Sequence, residues 1–134
     1  CVEVLADEFE VRKKRDFQAN RDRPIKLVEL GAEQRNELIA RDSAYGRIVC
    51  RCEEISEGEI RDALHRPVPA TSVDGIKRRT RAGTGRCHGG FCTPRVLEIM
   101  ARELKLPIEM ITKRGGASTL LVKETKHTGA RHAG

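Results

Sequence analysis

The sequence predicts a mostly α fold, a small helical domain with a charged N-terminal arm and a short C-terminal extension. Three observations predict it. Helix-start signals recur near residues 56, 72 and 93, each followed by apolar residues at helical spacing. Apolar material is thin: 38% of the 134 residues are hydrophobic, 3% are aromatic and none is Trp. The mean hydropathy is −0.52, and a domain this lean calls for a staple. Four of the five cysteines supply one, in two tight pairs, Cys50 with Cys52 and Cys87 with Cys92.

Taken in chain order, residues 1–46 read as an arm. One helix is expected over "AEQRNELIARD", ending near "SAYG", where Gly46 can adopt a left-handed conformation. Residues 47–106 carry the motifs. Ser56 and Glu59 form a capping box, and Ile60, Ala63 and Leu64 follow as one apolar stripe until Pro67. Thr71 or Ser72 caps a second helix with Val73, Ile76 and Thr80 on one face, ending at Gly83. Thr93 caps a third, with Pro94 at its first position and Leu97, Met100, Ala101 and Leu104 in register. These stripes are read as core. Residues 107–134 begin at Pro107, with a short helix through "PIEMITK", a strand in "STLLVKE" and a disordered polar tail, "KHTGARHAG".

The chain opens on Cys1 with no targeting character and reads as a C-terminal fragment of a longer protein. With no secretory signal, a reducing, cytoplasmic setting is expected, which favours thiolate ligands over disulfides. No apolar run reaches the ~20 residues of a membrane span.

A net charge of +6 raises the question of nucleic acid. The distribution argues against it. Residues 75–97 hold Lys77, Arg78, Arg79, Arg81, Arg86 and Arg95 with no acid, whereas residues 53–62 hold Glu53, Glu54, Glu57, Glu59 and Asp62 against Arg61. Phe91 is the lone aromatic of the basic stretch, so base stacking has no platform.

Residues i and i+2 of a strand share a side, so Cys50 and Cys52 can both reach one metal centre with Arg51 turned away. Between Cys87 and Cys92, Gly89 and Gly90 permit tight turning and leave backbone N–H groups open to anionic sulfur. Helix N-termini after both pairs add partial positive charge. Structural zinc prefers pairs with two to four intervening residues, which suits the second pair and not the first. A [2Fe-2S] cluster takes four thiolates over two irons, and two pairs, one per iron, match its shape. The acid-free arginine stretch would offset its negative charge.

Other readings are weaker. The glycines at 83, 85, 89 and 90 miss the dinucleotide pattern because His88 stands where glycine is needed. His88 reads as a loop residue near the site, with a fifth ligand as the alternative. Cys1 is a lone terminal thiol, and His65, His127 and His132 show no metal spacing. No Ser/His/Asp set or carboxylate pair supports hydrolysis.

The blocks "YGRIVCRCEEISEGEI", "DGIKRRTRAGTGRCHGGFCTPRV" and "ITKRGG" with the following "STLL" resemble the C-terminal [2Fe-2S] domain of FAD-dependent oxidoreductases, related to bacterioferritin-associated ferredoxin. Within that group the resemblance is to the anaerobic-type glycerol-3-phosphate dehydrogenase large subunits, and it runs from residue 45 to 126. It implies a helix-turn-helix-like fold with loops and helix N-termini around the metal. It implies cluster binding by Cys50, Cys52, Cys87 and Cys92, and residues 1–46 as the arm from a preceding flavin domain. The wide second pair, with four intervening residues, departs from the small ferredoxin and fits the flavoenzyme group. The implied function is electron relay from reduced flavin to an acceptor, FAD being held by the parent protein. The implied partners are that flavin domain and other dehydrogenase subunits, through which the chain would meet a membrane. A zinc-stapled interaction module and a redox-sensing cluster domain are the alternatives.

Overall fold

The computed structural model describes residues 8–10, 15–16 and 23–123. The expected disordered tail, residues 126–134, lies outside them. The fold is mostly helical, and among the described residues no helix is long and apolar enough to cross a membrane.

The first helix, α1 (Ala32–Arg41), starts at Gly31, whose amide is satisfied by Gln34 Oε1 at 3.1 Å. Gly46 does not end it. Asp42, in extended conformation, closes α1 and caps a 3-10 turn over Ser43–Gly46 by accepting from the Ala44 amide at 2.9 Å. An Asx side chain offering that bond competes with helix continuation, so α1 stops at Arg41, within a residue of the expected segment.

A two-stranded antiparallel sheet follows, β1 (Ile48–Cys50) with β2 (Ile55–Ser56), with an irregular register. The capping box forms as the sequence predicts. Glu59 Oε2 accepts from the Ser56 amide at 2.8 Å, while Ser56 Oγ accepts from the Glu59 amide at 3.3 Å. It starts α2 (Glu57–His65). Ser72 rather than Thr71 caps α3 (Val73–Thr80), and Arg81, not Gly83, closes it in left-handed conformation. The α3 N-terminus is also held from outside, because the Val73 and Asp74 amides donate to the Thr112 and Lys113 carbonyls at 3.0 and 2.8 Å.

The last helix, α4 (Cys92–Leu104), begins two residues earlier than Thr93 predicts, with Phe91 at the cap and no side-chain capping bond. The Thr93 amide is already taken by the Gly89 carbonyl at 2.9 Å, so helical hydrogen bonding runs into the glycine loop and Cys92 joins the first turn. A 3-10 turn, Ile108–Met110, stands where a short helix was expected. The expected strand in residues 118–124 is absent among the described residues apart from a single bridge, Thr112 with Thr119. One pairing without a continuous partner does not propagate a ladder.

The predicted stripes are the core. Ile60 from α2, Ile76 from α3, and Ile99 and Met100 from α4 are buried together with Ile111. Each such side chain contributes roughly 1.5–3 kcal/mol by leaving water. The expected arm is more than a connector from residue 23 onward: Leu27, Leu38 and Tyr45 form a second small core. The Tyr45 ring lies flat against Gly58 of α2, where a β-carbon would sit 2.7 Å from the ring. The arm is also tied to the capping box, because the Leu27 amide donates to Glu59 Oε1 at 3.3 Å.

Candidate metal centre

Two segments converge to make the site. β1 delivers Cys50 at its end, buried in the core, and the chain then turns through residues 51–54 with Glu54 in left-handed conformation, leaving Cys52 exposed. Opposite, α3 ends at Arg81 and the loop to α4 winds through successive tight turns. His88 donates its amide to the Gly85 carbonyl and Gly90 to the Cys87 carbonyl, both at 2.8 Å. Gly83 and Gly89 stand at φ +89° and +86°, which glycine adopts without strain.

The four predicted cysteines come together around one open cavity of about 800 Å³. β1 stops at Cys50 and the turn that follows carries Cys52 outward, so the two do not lie along one continuous strand. Each instead meets a cysteine of the other segment. Cys52 Sγ lies 3.7 Å from Cys87 Sγ, and buried Cys50 adjoins buried Cys92. All four are free thiols.

Gly85 makes the approach possible. A β-carbon there would stand 2.2 Å from the Cys52 β-carbon.

The two pairs differ electrostatically. The backbone amides of Phe91 and Gly89 donate to the Cys87 sulfur and hold its thiol below the ordinary range, with Cys52 adding a smaller contribution. Cys92 is pushed up to about 11, chiefly by burial and then by the adjacent Cys50. Around them the cavity wall carries Arg47, Arg51 and Arg95. Its one acid, Glu57, is buried and clasped, accepting from Arg47 Nε at 2.8 Å and from an Arg102 guanidinium nitrogen at 2.5 Å. That clasp was not visible in the sequence, where Glu57 counted only as one of several acids. Its signal was position: an acid directly after an N-cap, across the hairpin from a strand-flanking arginine. His88 does not line the thiol cavity. It faces the other side with Gly89 and Thr93.

Four thiols gathered between a short hairpin, a glycine loop and a helix N-terminus define a small helical domain with a cysteine-lined centre. The pattern of the BFD-like [2Fe-2S] binding domain matches residues 48–102, a span that includes all four cysteines, and this segment of the chain belongs to that family. A glycerol 3-phosphate dehydrogenase of Caloramator mitchellensis is 49% identical over 116 residues, which is 87% of this chain and 24% of that protein. Hydrogen cyanide synthase subunit HcnB of Pseudomonas aeruginosa is 33% identical over 100 residues, 69% of this chain and 21% of its own. Anaerobic glycerol-3-phosphate dehydrogenase subunit A1 of Haloferax volcanii is 35% identical over 86 residues, 64% of this chain and 13% of its own. The chain thus spans a quarter or less of the length of these relatives. No solved structure matches it.

The residues present fit a [2Fe-2S] group. A dinuclear centre asks for two thiol pairs, and two pairs are what the fold brings together. The amides on Cys87 and the cationic wall match anionic sulfur.

Proposed function

We propose that Cys50, Cys52, Cys87 and Cys92 hold a [2Fe-2S] cluster, and that the chain is the electron-transfer portion of a FAD-dependent, glycerol-3-phosphate dehydrogenase-like enzyme. On this reading residues 1–46 connect to a flavin domain, residues 47–106 bind the cluster, and residues 107–134 are a C-terminal extension. The observation that carries it is the meeting of two thiol pairs across the segments, Cys52 with Cys87 at 3.7 Å and Cys50 with Cys92.

When bound, the cluster supplies one-electron exchange between a reduced flavin and an acceptor. The chain's own groups do the rest. The thiolates are the ligands. The Phe91 and Gly89 amides withdraw density from the Cys87 sulfur, which favours the reduced state. Buried Cys50 and Cys92 exclude water from one side, while exposed Cys52 leaves the other side open to a partner. The FAD belongs to the parent protein, and the partners are its flavin domain and other subunits of the dehydrogenase.

The test is anaerobic reconstitution with iron and sulfide, followed by metal and sulfide analysis, visible absorption, and electron paramagnetic resonance of the reduced form. Equal amounts of iron and sulfide, a charge-transfer spectrum and a reduced-state signal are expected. A colourless protein holding one zinc per chain would overturn the proposal in favour of a zinc-stapled interaction module.

A further inference from the structure

Phe91 is 89% exposed although it sits between two ligand candidates and contributes its amide to the Cys87 sulfur. An aromatic ring held in water at the mouth of a site is unfavourable unless something covers it. Nothing in the described chain does. Ile48, 48% exposed, lies on the same cavity wall. Around these two apolar groups stand Arg51 and Arg95, both exposed. Arg51 pairs with no carboxylate among the described residues, while Arg95 meets only the solvated Glu98. The single acid of the wall, Glu57, is already neutralised by Arg47 and Arg102. The face therefore presents an apolar centre whose rim is mainly cationic, with Glu54 beside Arg51 in the adjoining groove and Glu98 on Arg95 as its exposed acids.

We propose that this face is the docking surface for a redox protein, and that the partner presents an acidic rim around an apolar socket that receives Phe91. The proposal rests on the electron-transfer reading above for the partner's being a redox protein. The rest stands on the surface itself. Aromatic and arginine side chains are the residues that concentrate binding energy at protein interfaces. A rim in net excess of arginine, with Arg51 unpaired among the described residues, selects an acidic counterpart and speeds its approach. A nucleic acid is a poor fit, since a single ring gives no series of stacking platforms. A lipid surface is no better, since the apolar centre here is two side chains at a cavity mouth rather than a helix stripe.

The test measures binding, not turnover, so that it does not depend on cluster loading. The probe is an oxidised flavodoxin, an acidic protein whose flavin edge is apolar, titrated calorimetrically into the 134-residue chain over increasing salt. Salt-sensitive association is expected, weakened about tenfold by Arg51→Glu and by Phe91→Ala. Arg78→Glu, the same charge change at an exposed position of α3 outside the cavity wall, should leave it intact. Phe91 is a surface side chain, so its truncation leaves the core in place, which far-ultraviolet circular dichroism checks. Equal affinity in all four proteins would overturn the proposal. So would a concentration-dependent dimer of the chain itself that Phe91→Ala abolishes, or tighter, equally residue-dependent binding to phosphatidylserine vesicles or to single-stranded DNA. If iron and sulfide fail to assemble while flavodoxin binding keeps this dependence, the cluster reading fails and the docking surface stands.

Discussion

Gly85 packs directly against Cys52, close enough that a β-carbon at 85 would stand 2.2 Å from the Cys52 β-carbon. Real β-carbons do not approach so closely, and the obstructing atom is near the backbone, so one of the two segments would have to move. Gly85→Ala should therefore separate Cys52 from Cys87 while leaving the core helices folded. The expected result is a circular dichroism spectrum like that of the unaltered chain, with iron retained about tenfold to a hundredfold more weakly. Iron retention equal to that of the unaltered protein would mean that the contact relaxes without disturbing the site.

The order of pairing can be read chemically. Cys52 and Cys87 are 3.7 Å apart and accessible, and Cys87 is the thiol whose deprotonation the Phe91 and Gly89 amides favour. In metal-free protein treated with oxidised glutathione, the Cys87 and Cys52 thiols should together lose two electrons and two protons, Cys87 attacking first as its thiolate. One disulfide forms, and one glutathione disulfide is converted to two glutathione thiols. Peptide mapping should find residues 52 and 87 linked before any bond involves buried Cys50 or Cys92. A first product joining Cys50 to Cys52 would contradict the cross-segment arrangement.

Which parts of this arrangement the sequence made legible follows from the range of the interactions. The capping box at Ser56 and Glu59, and the stripes of α2, α3 and α4, depend on residues within a turn or two of one another, and spacing alone exposes them. The four cysteines were legible for the same reason. Their partners were not. Spacing along β1 predicts that Cys50 and Cys52 share a side, but the strand ends at Cys50, and Cys52 packs in the turn beyond it against Gly85, a residue remote in sequence. Thr93 looked like a helix cap because its own chemistry permits it, yet the glycine loop had already claimed its amide. The Glu57 clasp joins residues 47, 57 and 102, a separation no local pattern reports. The docking of residues 23–46 rests on a tyrosine finding a glycine, and neither residue advertises the other.

Glu57 should make stability depend on acid. Its carboxyl is held well below the ordinary 4.5, at about 2, chiefly by the hydrogen bond from Arg47 and also by that from Arg102, against the opposing effect of burial. The folded value lies below the unfolded one, so the stabilisation is fully present above the ordinary carboxylate range and is lost as pH falls through about 2. Both arginines are more than half exposed, 52% and 55%. Solvent screening therefore limits the contribution to about 1–2 kcal/mol. Urea melts between neutral pH and about pH 3 should show that loss in the unaltered chain. Glu57→Gln should be less stable at neutral pH, by about 1–3 kcal/mol, and should have a flatter acid limb. An unchanged acid limb in Glu57→Gln would assign the acid sensitivity to other carboxylates.

The contact between Tyr45 and Gly58 decides whether residues 23–46 are part of the folded unit. The Tyr45 ring covers Gly58, and its hydroxyl donates to the Asp62 carboxylate one turn further along α2. Burial and that bond both hold the phenol protonated, its pKa raised above the usual value. Alanine at 58 is a better helix former than glycine, so in an isolated helix the substitution would stabilise by about 1 kcal/mol. Here the new methyl meets the ring at 2.7 Å, and the overpacking cost of about 1–3 kcal/mol should prevail. Gly58→Ala is thus expected to destabilise the chain and to release residues 23–46 to protease before the helical core opens. Tyr45→Phe keeps the ring and loses only the bond to Asp62, costing about 1 kcal/mol. Combining Gly58→Ala with Tyr45→Ala removes the clash and lets the helix propensity show, so the double variant should be more stable than Tyr45→Ala alone. If alanine at 58 stabilises the chain even with the tyrosine present, the ring does not seat on α2, and residues 23–46 are a tether and not a part of the domain.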